Sequence, residues 1–193
     1  MAQSKASRLF DRIDQWEFQL CRNSNQALRY PFVRGYLRTV SRLGDGWLWY
    51  GVIALIALHG EPDSQALAMT LTATGLTCTL LYKTLKHRLV RERPFISFPG
   101  IQCAIAPLDR YSFPSGHTLH AVGFNSLLLL ALPIVGLILL PFTFSVMASR
   151  VVLGLHYPSD VVAGAVIGLI IGVIAWLTLP QMVQWLLLIV EQG

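Results

Sequence analysis

Residues 112–179 read SFPSGHTLHAVGFNSLLLLALPIVGLILLPFTFSVMASRVVLGLHYPSDVVAGAVIGLIIGVIAWLTL, and they hold three apolar runs: Thr118–Leu132, Ile134–Ala148 and Val161–Leu179. Pro133 marks the turn between the first two, and Pro158 opens the helix that leads into the third. With their flanks these runs approach the ~20 residues a helix needs to cross hydrocarbon. From Ser112 to the C-terminus the only formally charged side chains are Arg150, Asp160 and the near-terminal Glu191. A charge at hydrocarbon depth costs roughly 2.5–3.5 kcal/mol, so Arg150 and Asp160 are candidates for function.

Working towards the N-terminus, Ser64–Tyr82 carries no charge and continues as helix to about Arg88, and Gly44–Gly60 brackets a shorter apolar run, Trp47–Leu58. That makes five spans. The first 42 residues mix Phe10, Ile13, Trp16, Phe18 and Leu20 with Arg8, Arg12 and Arg22 and contain no uninterrupted apolar run, so they do not read as a cleavable signal. They read as an amphipathic helix at the membrane interface, with a soluble arm as the alternative. The stretch Gln181–Val190 is too short to cross and is expected to lie flat. The expected fold is all-α: a polytopic transmembrane helix bundle of about five spans plus an N-terminal interfacial amphipathic helix. Its parts are an arm over residues 1–43, a transmembrane domain over 44–180 and a tail over 181–193.

Composition agrees. Hydrophobic residues make up 54% of the 193 and charged residues 13%, half the share of a soluble domain. Cys21, Cys78 and Cys103 are too few and scattered for a disulfide scaffold. The net charge of +5 comes with no nucleic-acid-binding module and fits an anionic membrane surface or an anionic lipid. Gly164, Gly168 and Gly172 form a small-residue stripe for close helix packing, and Trp47, Trp49, Tyr50, Trp176 and Trp185 fit an aromatic belt; both are structural.

Three polar clusters remain: Lys86, Arg93 and Pro94 after the second span; Pro114, Ser115, Gly116 and His117 before the third; Ser149, Arg150, His156 and Asp160 between the fourth and fifth. Alternating spans bring all three to one membrane face. Together they suit a phosphate. Arg93 and Arg150 can donate bidentate hydrogen bonds and Lys86 is a point charge. Ser115 and Gly116 open a helix whose N–H groups favour an anion. Asp160, four residues beyond His156, can hold one ring nitrogen so that the other is free to act as nucleophile, and His117 can protonate a departing oxygen. Blander readings exist for each piece. The Lys86–Arg93 run alone suits lipid headgroups, PSGH alone is a helix start, His156 with Asp160 is half a metal site, and Arg150 with Asp160 is an ion pair between helices. The surrounding Lys and Arg repel a metal cation, and the joint occurrence favours phosphoryl chemistry.

The pattern Lys86-x6-Arg93-Pro94, Pro114-Ser115-Gly116-His117 and Ser149-Arg150-x5-His156-x3-Asp160 resembles the tripartite signature of the type 2 phosphatidic acid phosphatase family, over residues 45 to 180, with no motif position departing from it. The resemblance implies that His156 becomes phosphorylated, Asp160 orients it, His117 is the general acid, and Lys86, Arg93, Ser115, Gly116 and Arg150 bind phosphate. It also implies metal-independent, cofactor-free hydrolysis of lipid phosphates or pyrophosphates such as undecaprenyl pyrophosphate, phosphatidate or phosphatidylglycerol phosphate. Vanadium haloperoxidases share the site but are soluble, and this chain is far too apolar for one. Phosphotransfer to an acceptor lipid uses the same residues. A non-catalytic lipid-phosphate binding or transport protein would need only the cations.

Sidedness divides the two lines of reasoning. With five spans all 15 Lys and Arg fall on the active-site face, which the positive-inside rule puts in the cytoplasm. The resemblance implies a multi-pass protein of the plasma (inner) membrane with its site on the periplasmic or extracellular face, and that reading is preferred. The loop Phe95–Tyr111 is apolar enough either to line lateral access for a lipid tail or simply to pack.

Overall fold

The computed structural model describes residues 5–192, with the side chains of 13–185, 187 and 188. The side chains of Arg8, Phe10, Arg12 and Glu191 therefore lie outside the described residues. The chain forms α1 (Lys5–Asn25), a 3-10 turn (Gln26–Arg29), α2 (Pro31–Arg42), a π turn (Leu43–Trp47) and α3 (Leu48–Ala57). Then come α4 (Pro62–Arg88), the single turn α5 (Pro94–Ser97), α6 (Gly116–Ala131), α7 (Pro133–Val152) and α8 (Pro158–Gln192). Five of these helices open on proline, whose fixed φ suits a first turn and whose missing N–H would be unpaired there anyway.

Helix α6 runs along α8, and the glycine stripe is where they meet. A β-carbon at Gly164 would lie 2.6 Å from the Ser115 carbonyl oxygen, and at Gly168 and Gly172 it would run into the Leu119 carbonyl and Ser126 Oγ. Around this pair Trp49, Leu67, Leu71, Phe124, Leu127, Leu128 and Val146 form the main core. Gly168→Leu is therefore expected to cost about 1–3 kcal/mol by overpacking, a fall of roughly 5 °C in Tm for a chain of this length. Gly51→Leu, where a β-carbon meets nothing within 4 Å, should leave Tm unchanged. Tryptophan-fluorescence melting in detergent checks both.

Among the described residues, two helices are long and apolar enough to cross a membrane: α7, and α8 over Pro158–Trp185. The molecule is a helical protein of membrane type. Helices α3 and α6 have only 10 and 16 residues. Helix α4 has 27 residues but is rich in threonine. Its Thr70, Thr72, Thr74 and Thr79 hydroxyls donate to carbonyls four residues back at 2.7–2.9 Å, which lets polar side chains sit in an apolar bundle. The stretch beyond Pro180 is not a separate flat element: α8 continues through it to Gln192 as one helix.

The N-terminal arm is helical and docked. Phe18 and Cys21 pack with Ile101 and Tyr157. The Asn25 amide donates to the carbonyls of Gln102 (2.9 Å) and Val152 (3.0 Å) and accepts from the Gln102 N–H at 2.9 Å. Trp16 and Phe32, 90% and 83% exposed, face away from the bundle. Helix α7 ends on Gly154 at φ +77°, where a β-carbon would approach the Gln102 carbonyl to 2.5 Å. This turn sends Leu155–Pro158 back across the end of the bundle and carries His156 with it.

Candidate active site

Lys86 lies in the last turn of α4, Arg93 just before α5, Ser115 at the N-cap of α6 with Gly116 and His117 following. Arg150 lies in the last turn of α7, His156 in the connection, and Asp160 in the first turn of α8. Helices of alternating direction thus deliver all eight to one end of the bundle. Lys86, Arg93, Gly116, His117, Arg150 and His156 line a single cavity of about 480 Å³. Ser115 and Asp160 stand behind its wall, both fully buried.

The Arg93 guanidinium spans the site. Its Nη1 donates to the Leu155 carbonyl at 2.8 Å and lies 3.2 Å from His156 Nε2, while Nη2 donates to Asp109 Oδ1 at 2.8 Å. An arginine has only donors, so Nε2 is the acceptor of that contact and carries no proton. The other ring nitrogen, Nδ1, lies 3.6 Å from Asp160 Oδ2, an electrostatic contact longer than a hydrogen bond. Asp160 Oδ2 accepts the Tyr157 N–H at 2.9 Å, and its backbone carbonyl accepts from Ser115 N–H at 3.1 Å, tying the second cluster to the third. Ser115 Oγ pairs with Thr118 Oγ1 at 3.0 Å and makes no capping bond to the α6 backbone. Arg150 donates through Nη1 to Ser41 of α2.

Four residues that sequence reasoning passed over complete the site. Asp109 Oδ1 bridges Lys86 Nζ (2.6 Å) and Arg93 Nη2 (2.8 Å), so a carboxylate sits on two of the cavity's cations. Asp45, from the π turn, pairs with His117 Nε2. Ser41 holds Arg150, and Arg91 holds Asp160. Asp45 had a visible signal, as a lone acid between two glycines at the head of an apolar run; Asp109 and Arg91 were hidden in a charged connection. That connection also proves to be largely packed. Phe95, Phe98, Ile101, Ala104 and Ile105 lie against Leu153, Leu155 and Tyr157, and only Leu108 and Asp109 of the loop reach the cavity. The apolar walls come from elsewhere: Trp49, Ile53 and Ala54 of α3, Leu76 of α4, and Phe124 of α6.

His156 is buried, and burial together with Arg93, Arg150, Lys86 and His117 around it pushes its pKa well below the usual value. Its imidazole is expected to stay neutral at pH 6, where a free histidine is mostly charged. Two-bond ¹H–¹⁵N correlation spectra, with His156→Ala for assignment, would report this, and a charged ring at pH 6.5 would refute it. Among the described residues no three His, Cys, Asp or Glu side chains converge as metal ligands.

The all-helical bundle thus carries at one end a cationic cavity lined by three histidines, His117, His120 and His156. The chain belongs to the PAP2 superfamily, whose model matches residues 65–183. It is 33% identical over 90 residues, 47% of its length, to the bacitracin transport permease protein BcrC of Bacillus licheniformis, and 30% identical over 141 residues, 70% of its length, to an undecaprenyl-diphosphatase of Sulfolobus acidocaldarius. These matches span 44% and 66% of the two relatives. The crystal structure of Aquifex aeolicus LpxE superposes with a TM-score of 0.67 at 26% identity, covering 81% of this chain and 92% of that one.

Proposed function

We propose that this protein hydrolyses a membrane lipid pyrophosphate or phosphomonoester through a phosphohistidine at His156, with polyprenyl pyrophosphates of the undecaprenyl class as the leading substrate. The observation that carries this reading is the cavity itself. Its floor is Lys86, Arg93, Arg150, His117 and His156, and from there it continues between α3 and α4 along Trp49, Ile53, Leu76 and Phe124. A phosphate head on a hydrocarbon tail has that same polarity, and each buried CH₂ of the tail adds ~0.8 kcal/mol. The undecaprenyl-diphosphatase among the relatives supports the substrate class.

In the first step His156 Nε2 attacks phosphorus, the bond from phosphorus to the leaving oxygen breaks, and that oxygen takes a proton from His117. In the second, water attacks the phosphohistidine while His117 takes its proton; the P–N bond breaks, orthophosphate leaves and His156 is restored. Lys86, Arg93 and Arg150 neutralise the phosphoryl oxygens, and Gly116, the first residue of α6, lines the same space. No step calls for a metal. The active site is assigned to the periplasmic or extracellular face of a multi-pass plasma-membrane protein of about five spans.

The test is phosphate release by the detergent-purified protein in EDTA, comparing undecaprenyl pyrophosphate, phosphatidate and phosphatidylglycerol phosphate. Release from the first above the others is expected. Release that stops in EDTA and returns with a divalent cation would overturn the metal-free mechanism, and a preference for either glycerolipid would overturn the substrate class.

A further inference from the structure

Arg91 occupies no motif position, yet its side chain is 1% exposed and joins three parts of the molecule. Nη1 donates to Asp160 Oδ1 at 2.5 Å and to Ser159 Oγ at 2.7 Å. Nε and Nη2 donate to Asp14 Oδ1 at 2.9 and 2.5 Å, and Nη2 also to Glu17 Oε2 at 2.7 Å. The guanidinium carbon lies 4.0 Å over the Tyr157 ring. Glu17 in turn accepts the Ser159 N–H (2.6 Å) and hydroxyl (2.7 Å), so α1 is fastened directly to the first turn of α8.

The division of donors matters. A guanidinium prefers to take a carboxylate with two parallel N–H groups, one to each oxygen. Here Asp14 and Glu17 occupy Nε and Nη2, leaving only Nη1 for Asp160. Asp160 Oδ2 therefore stays turned towards the Tyr157 N–H and His156 Nδ1. Released from α1, Arg91 would be able to take both oxygens of Asp160 and draw Oδ2 away from the histidine.

We infer that Asp14 and Glu17 of α1 are positioning residues for the reaction: they restrict Arg91 to one oxygen of Asp160 and so fix the orientation of His156. The N-terminal arm is thereby part of the catalytic apparatus, although the family match begins only at residue 65. The inference rests on His156 being the nucleophile.

The full-length protein in detergent, with undecaprenyl pyrophosphate as substrate, tests it through Asp14→Asn, Glu17→Gln, the double variant and Arg91→Lys. Rates are taken per active site, titrated by the alkali-quenched phosphoenzyme burst, so that misfolded molecules do not count. The double variant is expected to lose about tenfold or more in kcat per site with KM changed less than about threefold, and each single variant to lose part of that. Arg91→Lys, which keeps the charge but not the fork, should not restore the rate. A double variant within twofold of wild type per site, whatever its Tm, overturns the inference, as does a rise in KM with kcat unchanged. Should the double variant or Arg91→Lys fail to fold, the single isosteric variants decide by the same criterion. His156→Ala run alongside separates the two levels. Undiminished release by that variant refutes the phosphohistidine, whereas its loss beside a fully active double variant refutes only the role of the arm.

Discussion

Alanine at position 156 is expected to lower phosphate release by at least about 10³-fold and to abolish the acid-labile phosphoenzyme, with the fold preserved. The size follows from the arrangement around the ring. His156 is the one imidazole whose Nε2 faces an arginine that itself belongs to the phosphate site, at 3.2 Å, with a carboxylate 3.6 Å behind Nδ1. Removing it leaves three cations that still bind the anion but nothing to form a bond to phosphorus. KM for the lipid should therefore move little. Quenched-flow trapping of labelled protein, together with phosphate release under saturating lipid, reads both quantities, and a variant that still turns over at a tenth of the wild-type rate would remove His156 from the nucleophile's place.

The second large effect concerns His117 and depends on the leaving group. His117→Ala should cost about 10²–10⁴-fold with a lipid phosphomonoester such as phosphatidate, whose departing alcohol oxygen needs a proton as the bond breaks, and far less with p-nitrophenyl phosphate, whose departing oxygen does not. Asp45 pairs with His117 Nε2 and fixes the ring from the π turn before α3, so Asp45→Asn should show the same selectivity in milder form. An equal loss on both substrates would show that His117 acts only in binding. Steady-state rates for the two substrates across the two variants settle the point.

The positions proposed to carry chemistry could be singled out because such chemistry uses a few residue types at fixed spacing, and the structure brings them to one end of the bundle. Arg150 and Asp160 stood out as charges in an apolar half, and the span alternation that put Lys86, Gly116 and Arg150 on one face is the alternation of α4, α6 and α7. The stripe Gly164–Gly168–Gly172 was read as a close helix contact and is one. The supporting residues were not legible. Asp45 reaches His117 across 72 positions and Asp14 reaches Arg91 across 77, and no local periodicity encodes pairs so far apart in sequence. Helix α4 was legible as an uncharged stretch continuing to about Arg88, and it runs Pro62–Arg88; what the sequence did not display is that its threonines bond to their own helix. The Phe95–Tyr111 loop offered two readings of equal merit, and packing of its aromatic residues against Tyr157 and Phe18 favours the less eventful one.

The carboxylate of Asp109, lying on Lys86 and Arg93, also bears on how a catalytic cycle ends. A tethered anion competes at an effective concentration in about the millimolar range. Orthophosphate left in the pocket has no hydrocarbon tail to hold it and must contend with that built-in rival for the same two cations. On the proposed reading a lipid phosphate would contend with it too, but would bring the free energy of burying its chain between α3 and α4. On the proposed reaction the resting site would discriminate between lipid substrate and released orthophosphate: it would yield to the anion anchored in the bilayer and expel the free one, so that turnover would not stall as orthophosphate accumulates.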